Sequence, residues 1–355
     1  SRTPCADLQN IRKTKVNEIL RILDASFNRA REGLRVVEDG LRFSLNDRPL
    51  TFQIKKLRHD LSKTVFSYFT PEDLNRSRQV ELDLSRHDDF RGEKYRLTEI
   101  IMRNLRRTGE ALRTMEEYAK NISSALSNKI HHLRFNLYQI EKQVTLKLMR
   151  KKIPPRCLCV ILNLNEEKKF RVLGEKVAKA GPHMVQIRYK GEDIPYFLQM
   201  TCWLRRILPG QTLLLVNDRP DICLAARADG VHLGQKDFPL ETARVLLPDK
   251  VIGLTCQNLS QAKTAIKKGA DYISTGPVFP SPVKPEKLPI GLERLTGLVK
   301  KVNIPVLAIG GINEDNLDRV LATGVKGVAV ISAVAASAHP EKTIRQMKKT
   351  IESYL

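Results

Sequence analysis

Hydrophobic positions change their rhythm near residue 150. Before it, apolar residues recur at the three- and four-residue spacing of helices, with hardly a strand signal. The spacing predicts helices near 10–45, 51–69, 94–121 and 124–150, separated by Asn46-Asp47-Arg48-Pro49 and by the acidic stretch 71–91. That is the pattern of an all-α bundle. Beyond residue 150, short apolar runs alternate with helical stretches: CLCVIL (157–162), MVQIRY (184–189), TLLLVN (212–217), GVHL (230–233), VIGLT (251–255), DYIST (271–275), PVLAIG (305–310) and GVAVIS (327–332). Each of the first seven leads through a helical stretch to the next, and the last leads to a helix over 339–354. Eight β-α units in about 200 residues predict a parallel (β/α)8 TIM-type barrel, giving an α/β fold preceded by a helical bundle. A doubly wound sheet would carry a Gly-rich turn after its first strand, where this chain has Asn163-Leu164-Asn165-Glu166.

Lys151-Lys152-Ile153-Pro154-Pro155 marks the change of rhythm, because two consecutive prolines stop a helix and favour an extended connection. The expected organisation is a helical bundle over 1–150, a linker over 151–155 and a barrel over 156–355. No apolar run reaches the ~18–20 residues of a membrane span. Ser1-Arg2-Thr3-Pro4 also lacks the apolar stretch of a secretory signal, so a cytoplasmic location without a membrane partner is expected. Cysteines 5, 157, 159, 202, 223 and 256 form no C-x-x-C pair and read as free thiols in a reducing compartment.

The net charge of +22 first suggests a nucleic-acid partner. Residues 1–150 hold 30 basic and 20 acidic residues, so the remaining +12 lies in the second half and no tail concentrates it. Aromatic residues are only 6% of the chain, too few for the stacking platforms of a single-strand binder. Spread positive charge suits phosphorylated small molecules as well as RNA.

In a (β/α)8 barrel the site is built at the C-terminal ends of the strands. Strand two ends in Gln186-Ile187-Arg188-Tyr189-Lys190, whose alternation puts Gln186, Arg188 and Lys190 on one face and Tyr189 on the other. Inward cations at a barrel mouth call for an anion, either a ligand or an acid on a neighbouring strand. Strand three ends in Asn217-Asp218, and Asp237 follows strand four. Two carboxylates there offer oxygen ligands to a hard divalent cation, although Asp218 also stands where it could cap the helix that begins at Arg219-Pro220. His232, beside them, reads as a strand residue that orients an acid. Strand six runs into the stiff Gly276-Pro277-Val278-Phe279-Pro280-Ser281-Pro282-Val283-Lys284 loop. Strands seven and eight end in Gly310-Gly311 and Ile331-Ser332, either plain turns or the backbone cradle that holds phosphate in many such barrels.

QIRYKG (186–191), VNDRPDICLAARADGVHLGQKD (216–237), IGLTCQN (252–258), GADYISTGPVFPSPVK (269–284), IPVLAIGGI (304–312) and GVAVISAV (327–334) together resemble thiamine-phosphate synthase, over seven of the eight strands in order. The resemblance implies a transferase that joins hydroxymethylpyrimidine diphosphate to thiazole phosphate and releases diphosphate. It also implies Mg2+ as cofactor and small phosphorylated molecules as partners, with no nucleic acid. Carried over residue by residue, it gives Gln186, Arg188, Lys190 and Asn217 to the pyrimidine diphosphate, and Asp218 and Asp237 to Mg2+. Thr255 and Lys284 go to the diphosphate side, with Arg188, Lys190 and Lys284 as the catalytic cations. Ser281 and Val283 fall in the thiazole-phosphate loop, and Gly311, Ile331 and Ser332 in the phosphate cradle. Thr255 stands where serine is common and Val283 where a hydroxyl residue is usual, so one side-chain contact is lost at the latter. A thiazole tautomerase-like isomerase, the alternative on this fold, would have no use for Asp218, Asp237 and Lys284 as a set.

The helical half contains an internal echo. EGLRVVED (32–39) returns as EALRTMEE (110–117), and Arg29 and Arg107 hold the same offset upstream. Either a duplicated helical hairpin pairs its ionic faces, or Arg29, Arg35, Arg107 and Arg113 line an anion pocket. LDASFNRAREGLRVVED (23–39) resembles a helical domain fused to some bacterial thiamine-phosphate synthases, a family linked to pyrimidine phosphate metabolism. A coupling or assembly role, and an oligomer, stay open.

Overall fold

The structure is a computed structural model that describes residues 4–78, 94–281 and 288–354, with side chains from Val16 onward. The chain divides into two compact units, with the boundary between Met149 and Arg150.

The first unit is helical: α1 (Pro4–Asp39), α2 (Arg48–Phe66), α3 (Pro71–Arg76), α4 (Leu97–Ala119) and α5 (Ser124–Met149), with a π-helical turn over Gly40–Ser44. Two starts are legible locally. Asp47 accepts from the Leu50 N–H ahead of Pro49, and Thr70 forms a capping box with Asp73 ahead of Pro71. The second capping box builds α3 inside the stretch expected to be a loop. Helices α1 and α4 run antiparallel, Gly33 lying against Thr108 and Asn104, and Gly40 against Ile101.

The echo falls on α1 and α4. Buried Glu38 takes Arg58 of α2 at 3.0 Å, and buried Glu116 takes Arg134 of α5 at 2.7 Å, so an Arg–Glu ion pair pins each hairpin. Arg29, Arg35, Arg107 and Arg113 are exposed, and Arg35 and Arg113 pair with acids on their own helices. The described residues therefore carry the paired-hairpin arrangement.

The second unit is a closed parallel barrel of eight strands in sequence order: β1 (Cys157–Asn163), β2 (Met184–Arg188), β3 (Leu213–Asn217), β4 (Gly230–Leu233), β5 (Val251–Thr255), β6 (Tyr272–Thr275), β7 (Val306–Ile309) and β8 (Gly327–Val330). Parallel pairing of β1 with β8, Cys157 opposite Gly327, closes the ring. Outside it run α6 (Glu167–Ala180), α7 (Ile194–Ile207), α8 (Pro220–Ala225), α9 (Leu240–Leu246), α10 (Leu259–Lys267), α11 (Gly291–Val299), α12 (Leu317–Leu321), α13 (Ser332–Ala335) and α14 (Pro340–Ser353).

Strand alternation sorts the side chains into two cores. Leu158, Val160, Val185, Ile187, Leu214 and Val216 face the helices, whereas Cys157, Cys159, Ile161, Met184, Leu215 and Tyr272 fill the barrel. Tyr272 fits because Gly253 opposite it has no side chain: a Cβ there would lie 2.1 Å from the ring. Burial pushes the Cys157 and Cys256 thiols up to about 12, so both stay protonated.

The N-terminal end of the barrel is tied by two acids. Asp229 accepts from the Leu214 N–H, Arg205 and Lys151; Asp271 accepts from the Ile252 N–H, Arg244 and Arg150. Arg150 and Lys151 are thus held against the barrel, and residue 151 is no free linker. No described helix is long and apolar enough to cross a membrane.

Candidate active site

The C-terminal ends of the strands surround an open cavity. Gln186, Arg188, Asn217, Thr255, Ser281, Gly311, Ile331 and Ser332, all expected at the mouth, line it. Lys190, Asp218 and Asp237 stand at the neighbouring β2–β4 rim outside that lining. Val283 and Lys284 lie outside the described residues.

Each side chain is placed by the strand that carries it. Gln186 and Asn217 are inward residues of adjacent strands, and the Gln186 amide donates to Asn217 Oδ1 at 2.6 Å. Arg188, at the last position of β2, donates to Asn163 Oδ1 at the end of β1 (3.1 Å). Tyr189 turns away and packs on Tyr196 and Phe197, as alternation requires.

Just beyond β3 the backbone of Asp218 takes a left-handed φ of +63°, a conformation that costs free energy for a side-chain-bearing residue. Helix α8 begins at Pro220 with Arg219 at its N-cap and no side-chain cap, so Asp218 is not the helix cap. Its carboxylate instead accepts from Lys190 Nζ at 2.5 Å, the neighbouring-strand ion pair foreseen as one alternative. The Asp237 carboxyl also reaches Asp218, while it accepts from the Gly234 N–H at 2.8 Å. A Cβ on Gly234 would come within 2.5 Å of that carboxylate oxygen.

The two acids respond in opposite directions. Burial, reinforced by the hydrogen bond with Asp237, raises Asp218 above the ordinary aspartate range, against the pull of Lys190. At Asp237 burial also pushes upward, but the hydrogen bonds from Asp218 and Gly234 outweigh it and hold the carboxyl low. Two carboxyls brought together at an open rim offer oxygen donors that fit a hard divalent cation. No group of three or more candidate ligands occurs among the described residues, so such an ion would take its remaining ligands from water or substrate.

At the opposite side of the mouth, Gly310 (φ +97°) and Gly311 (φ +67°) form a turn only glycine enters easily. A Cβ on Gly311 would lie 2.5 Å from the Pro280 carbonyl, and Asn316 donates to the Gly311 carbonyl at 2.8 Å. Ile331 follows β8 and Ser332 opens α13.

Strand-end reading missed the cavity floor, where Cys159, Tyr272 and Ser274 lie deeper in the barrel. Alternation along β6 is the signal that finds the last two. His232, expected to orient an acid, has hydrogen bonds to hydroxyls: Nδ1 with Tyr272 (2.8 Å), Nε2 with Thr255 (2.9 Å) and with Ser274 (3.2 Å).

A family model described as Thiamine monophosphate synthase matches residues 158–334, and one described as the ThiD2 family matches residues 21–143. The chain is 36% identical to the thiamine-phosphate synthase of Thermosynechococcus vestitus over 351 residues, covering 97% of this chain and 98% of the relative. It is 35% identical to that of Prochlorococcus marinus over 330 residues, covering 91% and 93%. Among solved structures, thiamine phosphate pyrophosphorylase from Pyrococcus furiosus matches with 37% identity and a TM-score of 0.51, over 56% of this chain and 96% of that one. Both units thus fall inside nearly full-length matches, and the chain belongs to the thiamine-phosphate synthase family.

Proposed function

We propose that the barrel joins hydroxymethylpyrimidine diphosphate to thiazole phosphate and releases diphosphate. The observation that carries this reading is the Asp218–Asp237 carboxyl pair, set beside Lys190 at the rim of a cavity that Arg188 lines and whose far side is the Gly310–Gly311 turn. In the proposed arrangement Gln186 and Asn217, locked together at 2.6 Å, present amide groups to the aminopyrimidine. Arg188 and Lys190 neutralise the departing diphosphate, and Asn163 holds the Arg188 guanidinium in place. Mg2+, held by Asp218 and Asp237, supplies further positive charge to that leaving group when bound. Backbone N–H groups at Gly311 and around Ile331–Ser332, with Ser281, position the phosphate of the second substrate. Thr255 faces the diphosphate side. Lys284 and Val283 are assigned by resemblance alone.

The bond from the pyrimidine methylene to the diphosphate oxygen breaks, and the electron pair leaves with diphosphate. The electron-rich aminopyrimidine stabilises the resulting cation, which the thiazole nitrogen attacks. Such chemistry needs charge neutralisation and placement rather than a strong base, and the described mouth residues supply cations and amides. Purified protein given both substrates and Mg2+ should form the coupled thiamine phosphate, read by mass. Consumption of neither substrate would contradict the reading.

A further inference from the structure

We propose that Tyr272 fixes the tautomer of His232 and thereby delivers one hydroxyl donor into the substrate cavity. Tyr272, His232, Thr255 and Ser274 hold four movable protons when the imidazole is neutral: three on hydroxyls and one on the ring. Their contacts with one another are Tyr272–His232 Nδ1, His232 Nε2 with both Thr255 and Ser274, and Thr255–Ser274 at 3.2 Å.

If the ring proton sits on Nδ1, it points at the Tyr272 oxygen. The Tyr272 proton then has no acceptor from this network in the barrel core, where the residue is 1% exposed. One of the other two hydroxyls donates to Nε2, the second is taken up between Thr255 and Ser274, and the cavity receives nothing. With the ring proton on Nε2 the sequence reverses. Tyr272 donates to Nδ1, and Nε2–H donates to the Thr255 oxygen, with Ser274 close enough to share it. One hydroxyl proton spans the Thr255–Ser274 contact, and the fourth is left over at half-buried Thr255, nearer the mouth than Tyr272 on the cavity floor. An unpaired hydroxyl at Tyr272 costs more free energy than one at half-buried Thr255, so burial of Tyr272 selects the second arrangement. Burial also pushes the phenol well above its ordinary range, so it retains the proton it must donate. Tyr272 and His232 act as positioning residues through Thr255 and Ser274, and the recipient is an anionic or carbonyl-like oxygen of the ligand. The use of that donor rests on the function proposed above; the tautomer rests on geometry alone.

Two measurements test this. Nitrogen-15 imidazole spectra of the full chain read the tautomer directly, His232 being identified among the seven histidines by its loss in His232→Asn. The expected result is protonated Nε2 with bare Nδ1 in the wild type, and a shift toward Nδ1–H in Tyr272→Phe, which keeps the ring volume. Protonated Nδ1 in the wild type would overturn the proposal. In kinetics, Tyr272→Phe should lower kcat/KM for diphosphate release about tenfold, the scale of one lost hydrogen bond to a charged group. The same change should have no further effect in Thr255→Val/Ser274→Ala, whereas additive losses would overturn the relay. Should the wild type release no diphosphate, the proposed function fails and the imidazole spectrum alone decides this inference.

Discussion

At the level of single residues, the acid pair has consequences for both stability and activity. Asp218 is raised by burial and by Asp237, so between the unfolded and folded values the native chain binds more protons than the unfolded one. Stability therefore falls as pH rises through that window, opposite to the usual ion-paired aspartate. Asp218→Asn should raise the melting temperature of metal-free protein at neutral pH, read by calorimetry, while abolishing the response of activity to Mg2+. A lower melting temperature would mean that the Lys190 pair dominates. Arg188→Ala should lower kcat on the order of 10²-fold by loss of leaving-group stabilisation, without unfolding a residue that sits at the cavity wall. Steady-state rates with circular dichroism decide this. The sequence reveals the strand-end residues because barrel geometry sends them to one mouth. The partners inside the mouth are less legible. Asn163 under Arg188 and the hydroxyls around His232 depend on register between strands, which alternation within one strand does not encode.

At the level of elements, the period of the apolar pattern separates helix from strand throughout, and all eight strands lie at or within a residue or two of their expected positions. Terminal capping is where the expectation departs from the fold. The acidic stretch after Phe69 reads as a loop by charge, yet Thr70, Pro71 and Asp73 form a complete start signal and make α3. GVAVIS likewise reads as strand to its end, but Ser332 already belongs to α13. The Gly310–Gly311 turn is sensitive to substitution. Gly311→Ala adds a methyl 2.5 Å from a backbone carbonyl at φ +67°, so it should destabilise the barrel by about 1–3 kcal/mol. It should also raise KM for the thiazole phosphate more than for the pyrimidine diphosphate. Equal effects on both substrates would remove this turn from the acceptor site.

At the level of the whole molecule, a charge of +22 spread over both units fits handling of phosphorylated ligands. Every site residue named here follows residue 150, so the fragment 150–355 should release diphosphate at a rate within about twofold of the full chain. A fragment beginning at 155 drops the Arg150–Asp271 and Lys151–Asp229 pairs and should melt at a lower temperature than 150–355. Equal melting temperatures would make those two pairs silent, as many exposed ion pairs are. In the proposed reaction the carboxyl pair brings a divalent cation to a diphosphate leaving group. Diphosphate release by the full chain, with each substrate omitted in turn and with excess EDTA, tests this. Release is expected only when both substrates and Mg2+ are present. Turnover that survives EDTA, or release from the pyrimidine substrate alone at the full rate, would contradict it.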